Sequence, residues 1–121
     1  MPNERVAPTL ETAKKKIYVA GPYTNGDVAE NVHKAIKAAN DLADLGFMPF
    51  LPHLTHFWHL QHQRPYKFWC ELDNAFLPYC DALLRLPGES NGADAEVELA
   101  EKLGIPIFYS IKDVAMGAED K

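Results

Sequence analysis

Four short apolar runs are set between segments of helical spacing, and this alternation restricts the possible folds more than any other feature. The runs are Lys16-Ile17-Tyr18-Val19-Ala20, Phe47-Met48-Pro49-Phe50, Asp81-Ala82-Leu83-Leu84-Arg85-Leu86 and Ile105-Pro106-Ile107-Phe108-Tyr109. Each is rich in strand-forming residues and bounded by glycine or proline. A helix is expected from about Val28 to Leu45, with Val32, Ala35, Ile36, Ala39, Leu42 and Ala43 at helical spacing and Gly46 ending it. A second is expected from Pro65 to about Leu77, with Phe68, Leu72, Ala75, Phe76 and Tyr79 as its apolar stripe. A third runs from Ala93 to Leu103, stopped by Gly104 and Pro106. This β-α-β-α-β-α-β order predicts an α/β domain whose parallel sheet, of four to five strands, is covered by helices on both faces. Pro49 marks the second run as an edge strand.

The chain of 121 residues is one domain, long enough to bury about two-thirds of its unfolded surface. Residues 1–15 read as a polar lead-in, 16–110 as the folded domain and 111–121 as a polar tail, helical or frayed. A net charge of −5 argues against binding a nucleic-acid backbone. No apolar run approaches the roughly 18 residues of a membrane span, and no signal-peptide pattern opens the sequence. Cys70 and Cys80 suit neither a zinc site nor a disulfide framework, which points to a reduced, cytoplasmic setting.

In parallel sheets ligands bind outside the carboxyl ends of the strands. Three loops belong there: Gly21 to Asp27, the aromatic and histidine-rich connection Leu51 to Arg64, and Pro87 to Gly92. The first places Gly21, Pro22 and Tyr23 before a helix N-terminus, an arrangement favourable to anions, although its glycine spacing is neither a P-loop nor a dinucleotide fingerprint. A tight strand-to-helix turn explains it equally well.

The third loop leads into a helix with one misplaced charge. Winding Ala93 to Leu103 at about 100° per residue puts Ala93, Val97, Leu99, Ala100 and Leu103 on one arc. Asp94, Glu98, Glu101 and Lys102 share the other, and Glu96 falls within the apolar arc. An unpaired carboxylate there costs several kcal/mol or takes a raised pKa. The choice is between a buried structural pair and a functional carboxylate.

His53, His56, His59 and His62 recur every three residues. Metal binding is one explanation, but no cysteine accompanies them. The others are that the rings, with Phe57, Trp58 and Trp69, line a pocket for a planar group or pack at a subunit contact. Asp73, at the border of the second helix's stripe, is either a solvated boundary acid or a second carboxyl facing the pocket of Glu96. Two carboxyls in different environments divide roles in glycosidic cleavage.

Ile17-Tyr18-Val19-Ala20-Gly21-Pro22-Tyr23, Asp73 followed by Cys80-Asp81-Ala82-Leu83, and Ser90-Asn91-Gly92 with Glu96 and Ala100 resemble the nucleoside 2-deoxyribosyltransferase superfamily. That group includes hydrolases releasing a base from (deoxy)nucleoside 5′-monophosphates. Pattern and resemblance agree on a single Rossmann-like or flavodoxin-like three-layer domain.

The resemblance implies roles for individual residues. Glu96 matches the nucleophile that attacks the sugar C1′. Tyr18 matches the tyrosine orienting it, and Asp73 the aspartate that helps protonate the departing base. Ser90 matches a position where transferases carry an acid for the 5′-hydroxyl and hydrolases a serine for a 5′-phosphate. Serine there favours nucleotides, although the loop Tyr23-Thr24-Asn25-Gly26 lacks the arginine that phosphate-binding members often carry. Gly21, Pro22, Tyr23, Ser90 and Gly92 are then substrate-binding candidates, with His53, His56 and Trp69 for the base. The expected activity is release of a free base from a (deoxy)nucleoside 5′-monophosphate or nucleoside. The alternatives are base exchange by a nucleoside 2-deoxyribosyltransferase, a catalytically silent nucleotide-binding module, and an aromatic interaction domain whose histidines bind metal. The first reading needs no metal or organic cofactor and implies a small-molecule substrate and a homodimer or higher homo-oligomer.

Overall fold

The computed structural model describes residues 14–119, so the expected lead-in falls almost wholly outside the described residues. In chain order the elements are β1 (Lys16–Ala20), α1 (Val28–Asp44), β2 (Met48–Phe50), α2 (Thr55–Gln61), α3 (Tyr66–Phe76), β3 (Ala82–Arg85), α4 (Asn91–Lys102), β4 (Ile107–Phe108) and α5 (Ile111–Glu119). All strand pairings are parallel, in the order β2-β1-β3-β4. β2 with its proline lies at an edge, and β1 pairs with β2 on one side and β3 on the other, in the register Tyr18 to Phe50 and Tyr18 to Leu83.

Successive strand side chains point to opposite faces, and β1 therefore contributes to two cores. Ile17 and Val19 pack with Ala38, Leu42, Phe47, Ala82, Leu84 and Val114, the layer formed with α1 and α5. Tyr18 and Ala20 pack with Leu77, Cys80, Leu83, Ala93 and Ala100, the layer containing α4. These two cores make the expected three-layer α/β fold. The first strand after β1 lies to one side of it and the next to the other, so the carboxyl ends of β1 and β3 border a topological switch point.

Several local expectations are corrected. The connection Leu51 to Arg64 is a 3-10 turn, Pro52–Leu54, followed by α2 rather than an open loop. Proline at the first position of that turn needs no amide partner, and Thr55 Oγ1 donates to Pro52 O at 2.7 Å. Of the two forms expected for residues 111–121, the helix is the one observed: α5 spans Ile111–Glu119, and it buries Val114. On α1 the buried stripe is Val32, Ala35, Ala38 and Leu42, while Ile36 and Ala43 face outward, because small residues bring the helix close to the sheet. Leu103 is exposed, lying past the last turn of α4. The α3 stripe is only partly covered: Phe68 packs on Trp58 of α2 and Phe76 on Phe50 of β2, so Phe68 and Leu72 are half-buried while Ala75, Phe76 and Tyr79 stay exposed.

Candidate active site

Glu96 sits where β1 and α4 meet on one face of the sheet. Tyr18, fully buried in the central strand, donates its phenol proton to Glu96 Oε2. Burial, reinforced by the nearby Glu96 and Asp73 carboxylates, pushes the Tyr18 phenol far up, so it remains a donor at any physiological pH. Burial likewise raises Glu96 to about 7; the Tyr18 hydrogen bond and Arg85 oppose the shift, and Asp73 adds to it. Burial raises Asp73 to about 6. Its Oδ1 is buried without a hydrogen-bond partner among the described residues. Two carboxyls with raised pKa values, Glu96 feeling the charge of Asp73, titrate close to neutral pH.

Glu96 opens onto a cavity of about 520 Å³ lined also by Tyr23, Thr24, Asn25, Tyr66, Glu89, Ser90, Asn91 and Gly92. Ser90 caps α4, its Oγ accepting from Ala93 N at 3.1 Å, which aims the free amides at the start of that helix toward the cavity. Asn25 Nδ2 donates to Glu89 O at 2.9 Å, and Asn31 Nδ2 donates to Tyr23 O and Asn25 O, both at 2.9 Å. The loops after β1 and β3 are thus tied across the switch point.

The remaining candidates are brought near but not all into the wall. Gly21 is buried against Leu86, where a Cβ would come within 3.0 Å, so it serves close backbone approach. Pro22 lines an adjoining cavity with Asn31, Lys34 and Gly88. His53 is buried, and its Nε2 meets Pro22 O at 2.9 Å; burial lowers its pKa and Nδ1 has no partner among the described residues. His56 Nδ1 meets the Tyr23 hydroxyl at 2.6 Å, so it touches a wall residue from behind. Trp69 lies farther out, against Trp58 and Phe68, with Nε1 donating to His59 Nδ1 at 3.0 Å. The three histidines therefore take separate partners, and no group of three or more His, Cys, Asp or Glu side chains positioned for a metal occurs among the described residues. Cys70 and Cys80 are free thiols.

Two contributors escaped the sequence reading. Arg85, buried in β3, donates to Leu86 O, to Gly88 O at 3.0 Å and to Asp94 Oδ1 at 2.9 Å, bracing the loop before α4. A charge inside an otherwise apolar strand was its signal. Tyr66 carried no such signal, since an aromatic residue following Pro65 at a helix start is ordinary.

Residues 15–110 match the model of a family described as domain of unknown function (DUF7768). The chain belongs to that family. No curated protein matches it in sequence. Among solved structures, the DUF7768 chain is similar to a 2-deoxyribosyltransferase from the psychrotolerant bacterium Bacillus psychrosaccharolyticus, with a TM-score of 0.54 and 24% identity over 76% of this chain and 69% of that one. It is also similar to a conserved protein from Enterococcus faecalis V583, with a TM-score of 0.61 and 19% identity over 78% of this chain and 62% of that one. These likenesses establish a shared fold for the DUF7768 domain. No helix among its described residues is long and apolar enough to cross a membrane.

Proposed function

We propose that this protein cleaves the N-glycosidic bond of a (deoxy)nucleoside 5′-monophosphate or nucleoside through a covalent glycosyl–Glu96 intermediate. The reading rests on the half-buried Glu96, held by the Tyr18 phenol and facing the cavity, with a second raised carboxyl at Asp73. Glu96 attacks C1′ as the C1′–N bond breaks, and the bonding pair leaves with the base, which takes a proton from Asp73. Water then adds its oxygen to C1′ and releases Glu96, with Asp73 accepting the water proton. The two raised pKa values suit these roles, because one carboxyl must be ionised while the other carries a proton.

The similarity to a 2-deoxyribosyltransferase supports a second outcome, in which another base replaces water in the second step. The reading also expects association of at least two copies. The exposed apolar side chains of Phe57, Trp58, Leu60, Phe76 and Tyr79 support it.

The test is to incubate the protein with the common nucleosides and their 5′-monophosphates and to follow free base by chromatography, alongside Glu96→Ala. Base release that disappears in the variant is expected. No release from any substrate would refute the reading, and equal release by the variant would refute the nucleophile. A new nucleoside formed on adding a second base would identify transfer.

A further inference from the structure

The geometry points to Tyr66 as a substrate-contacting residue that donates a hydrogen bond to the 5′-phosphate of a nucleotide seated on Glu96. The inference rests on the glycosidic reading above and extends it to a residue outside the superfamily pattern quoted earlier.

Tyr66 opens α3, is 70% exposed and has no place in either core, yet it forms part of the wall of the Glu96 cavity. Its hydroxyl stands over Gly92: a Cβ built there would lie 3.2 Å from Tyr66 Oη and 4.0 Å from Ser90 Oγ. Two hydroxyls therefore flank one point on the first turn of α4. Gly92 and Glu96 are four residues apart and share a face of the helix, about 6 Å along its axis. That span is comparable to the reach from the anomeric carbon of a furanose to its 5′ substituent. A sugar presenting C1′ to Glu96 then places its 5′ group between Tyr66, Ser90 and the helix amides.

The phenol is suited to donating. Interaction with the Cys70 thiol, partial burial and the Glu96 and Asp73 carboxylates all raise its pKa, so it stays protonated. Cations are scarce at this point. Arg64 stacks over the Phe68 ring at 4.6 Å, and neither Arg64 nor Lys67 lines the cavity. A neutral phenol fills the place of a positive side chain, a donor that satisfies phosphate oxygens without pairing with Glu89 or Glu96.

The experiment uses the full chain carrying Glu96→Ala, so that no ligand is consumed. Calorimetric dissociation constants are measured for the common 2′-deoxynucleoside 5′-monophosphates and for their parent nucleosides. Adding Tyr66→Phe should weaken the monophosphates about tenfold and the parent nucleosides less than about twofold. Gly92→Ala, which displaces the hydroxyl, should weaken the monophosphates similarly in the presence of Tyr66 and add little in the presence of Tyr66→Phe. Unchanged affinity in Tyr66→Phe, equal losses for both ligand types, or additive losses in the double variant would overturn the role of Tyr66 alone. Failure of every ligand to bind the Glu96→Ala parent would overturn both this inference and the glycosidic reading.

Discussion

The Tyr18 phenol donates to Glu96 Oε2 across 78 residues of chain, joining the central strand to the helix beside it. The donor is buried in a strand paired on both sides, so it cannot follow its partner if Glu96 moves. A fixed donor thus holds one carboxylate oxygen of a residue that lines the cavity.

Tyr18→Phe removes that bond while keeping the ring. With Glu96 as nucleophile, kcat/KM should fall about 10- to 100-fold, the worth of one lost hydrogen bond to a charged group. Because the bond holds the Glu96 pKa down, the upper, falling limb of the pH–rate profile should move to higher pH in the variant. A profile that falls in amplitude without moving would show that Tyr18 does not touch the ionising group.

The proposed mechanism needs Glu96 ionised and Asp73 protonated, whereas Glu96 lies at about 7 and Asp73 at about 6. The pair holds one shared proton between these values, so kcat/KM should follow a narrow bell with its maximum between them. Asp73→Asn removes the group that must be protonated, so the residual activity should lose its falling limb and rise along a single limb set by Glu96. Rate measurements across this range, with base release as the signal, decide the matter.

Glu96→Gln should stabilise the fold at the expense of the chemistry. Burial raises Glu96 from 4.5 to about 7, so the native state binds its proton more tightly than the unfolded chain does. Stability from this group is therefore complete below the unfolded value and is lost as pH rises toward about 7. The loss amounts to roughly 3 kcal/mol at the upper limit. Denaturant titrations should find the variant about 1–3 kcal/mol more stable at about pH 8 and near parity at about pH 5. Parallel curves for the two proteins across that range would contradict a carboxylate strained by burial.

Ser90→Asp separates the cap from the ligand. Aspartate caps a helix as well as serine does, so unfolding free energy should change by less than about 0.5 kcal/mol. The added negative charge would face a 5′-phosphate at close range, raising KM for monophosphates about tenfold or more. Parent nucleosides should change by less than about threefold. Equal KM changes for both substrate types would place the phosphate elsewhere.

The element order, the two-sided sheet and the misplaced Glu96 were legible because each follows from the spacing of apolar residues along the chain. α2 was not: its aromatic and histidine side chains bury nothing in either core and mark no 3.6-residue stripe. The partners of His53 and His56 were equally hidden, since they depend on where the Tyr23 loop passes in space. Arg85 was within reach, as a charge in a buried strand must find acceptors, and it finds two carbonyls and Asp94. Tyr66 was out of reach because its meaning lies in a glycine on another helix.

The position of β1 between β2 and β3 also sets when the site exists during folding. The β1–β2 pairing closes a segment of about thirty residues, whereas the Tyr18–Leu83 register must bring together segments more than sixty residues apart. Loop closure over such distances is slow, and parallel pairing cannot form through a hairpin. The Tyr18–Glu96 contact should therefore form late, and until β3 pairs with it β1 has one open edge. Such an edge accepts foreign strands. If nucleotides are the ligands, as proposed, their binding during refolding should appear only once this edge is sealed, which makes it a clock for the last step of folding.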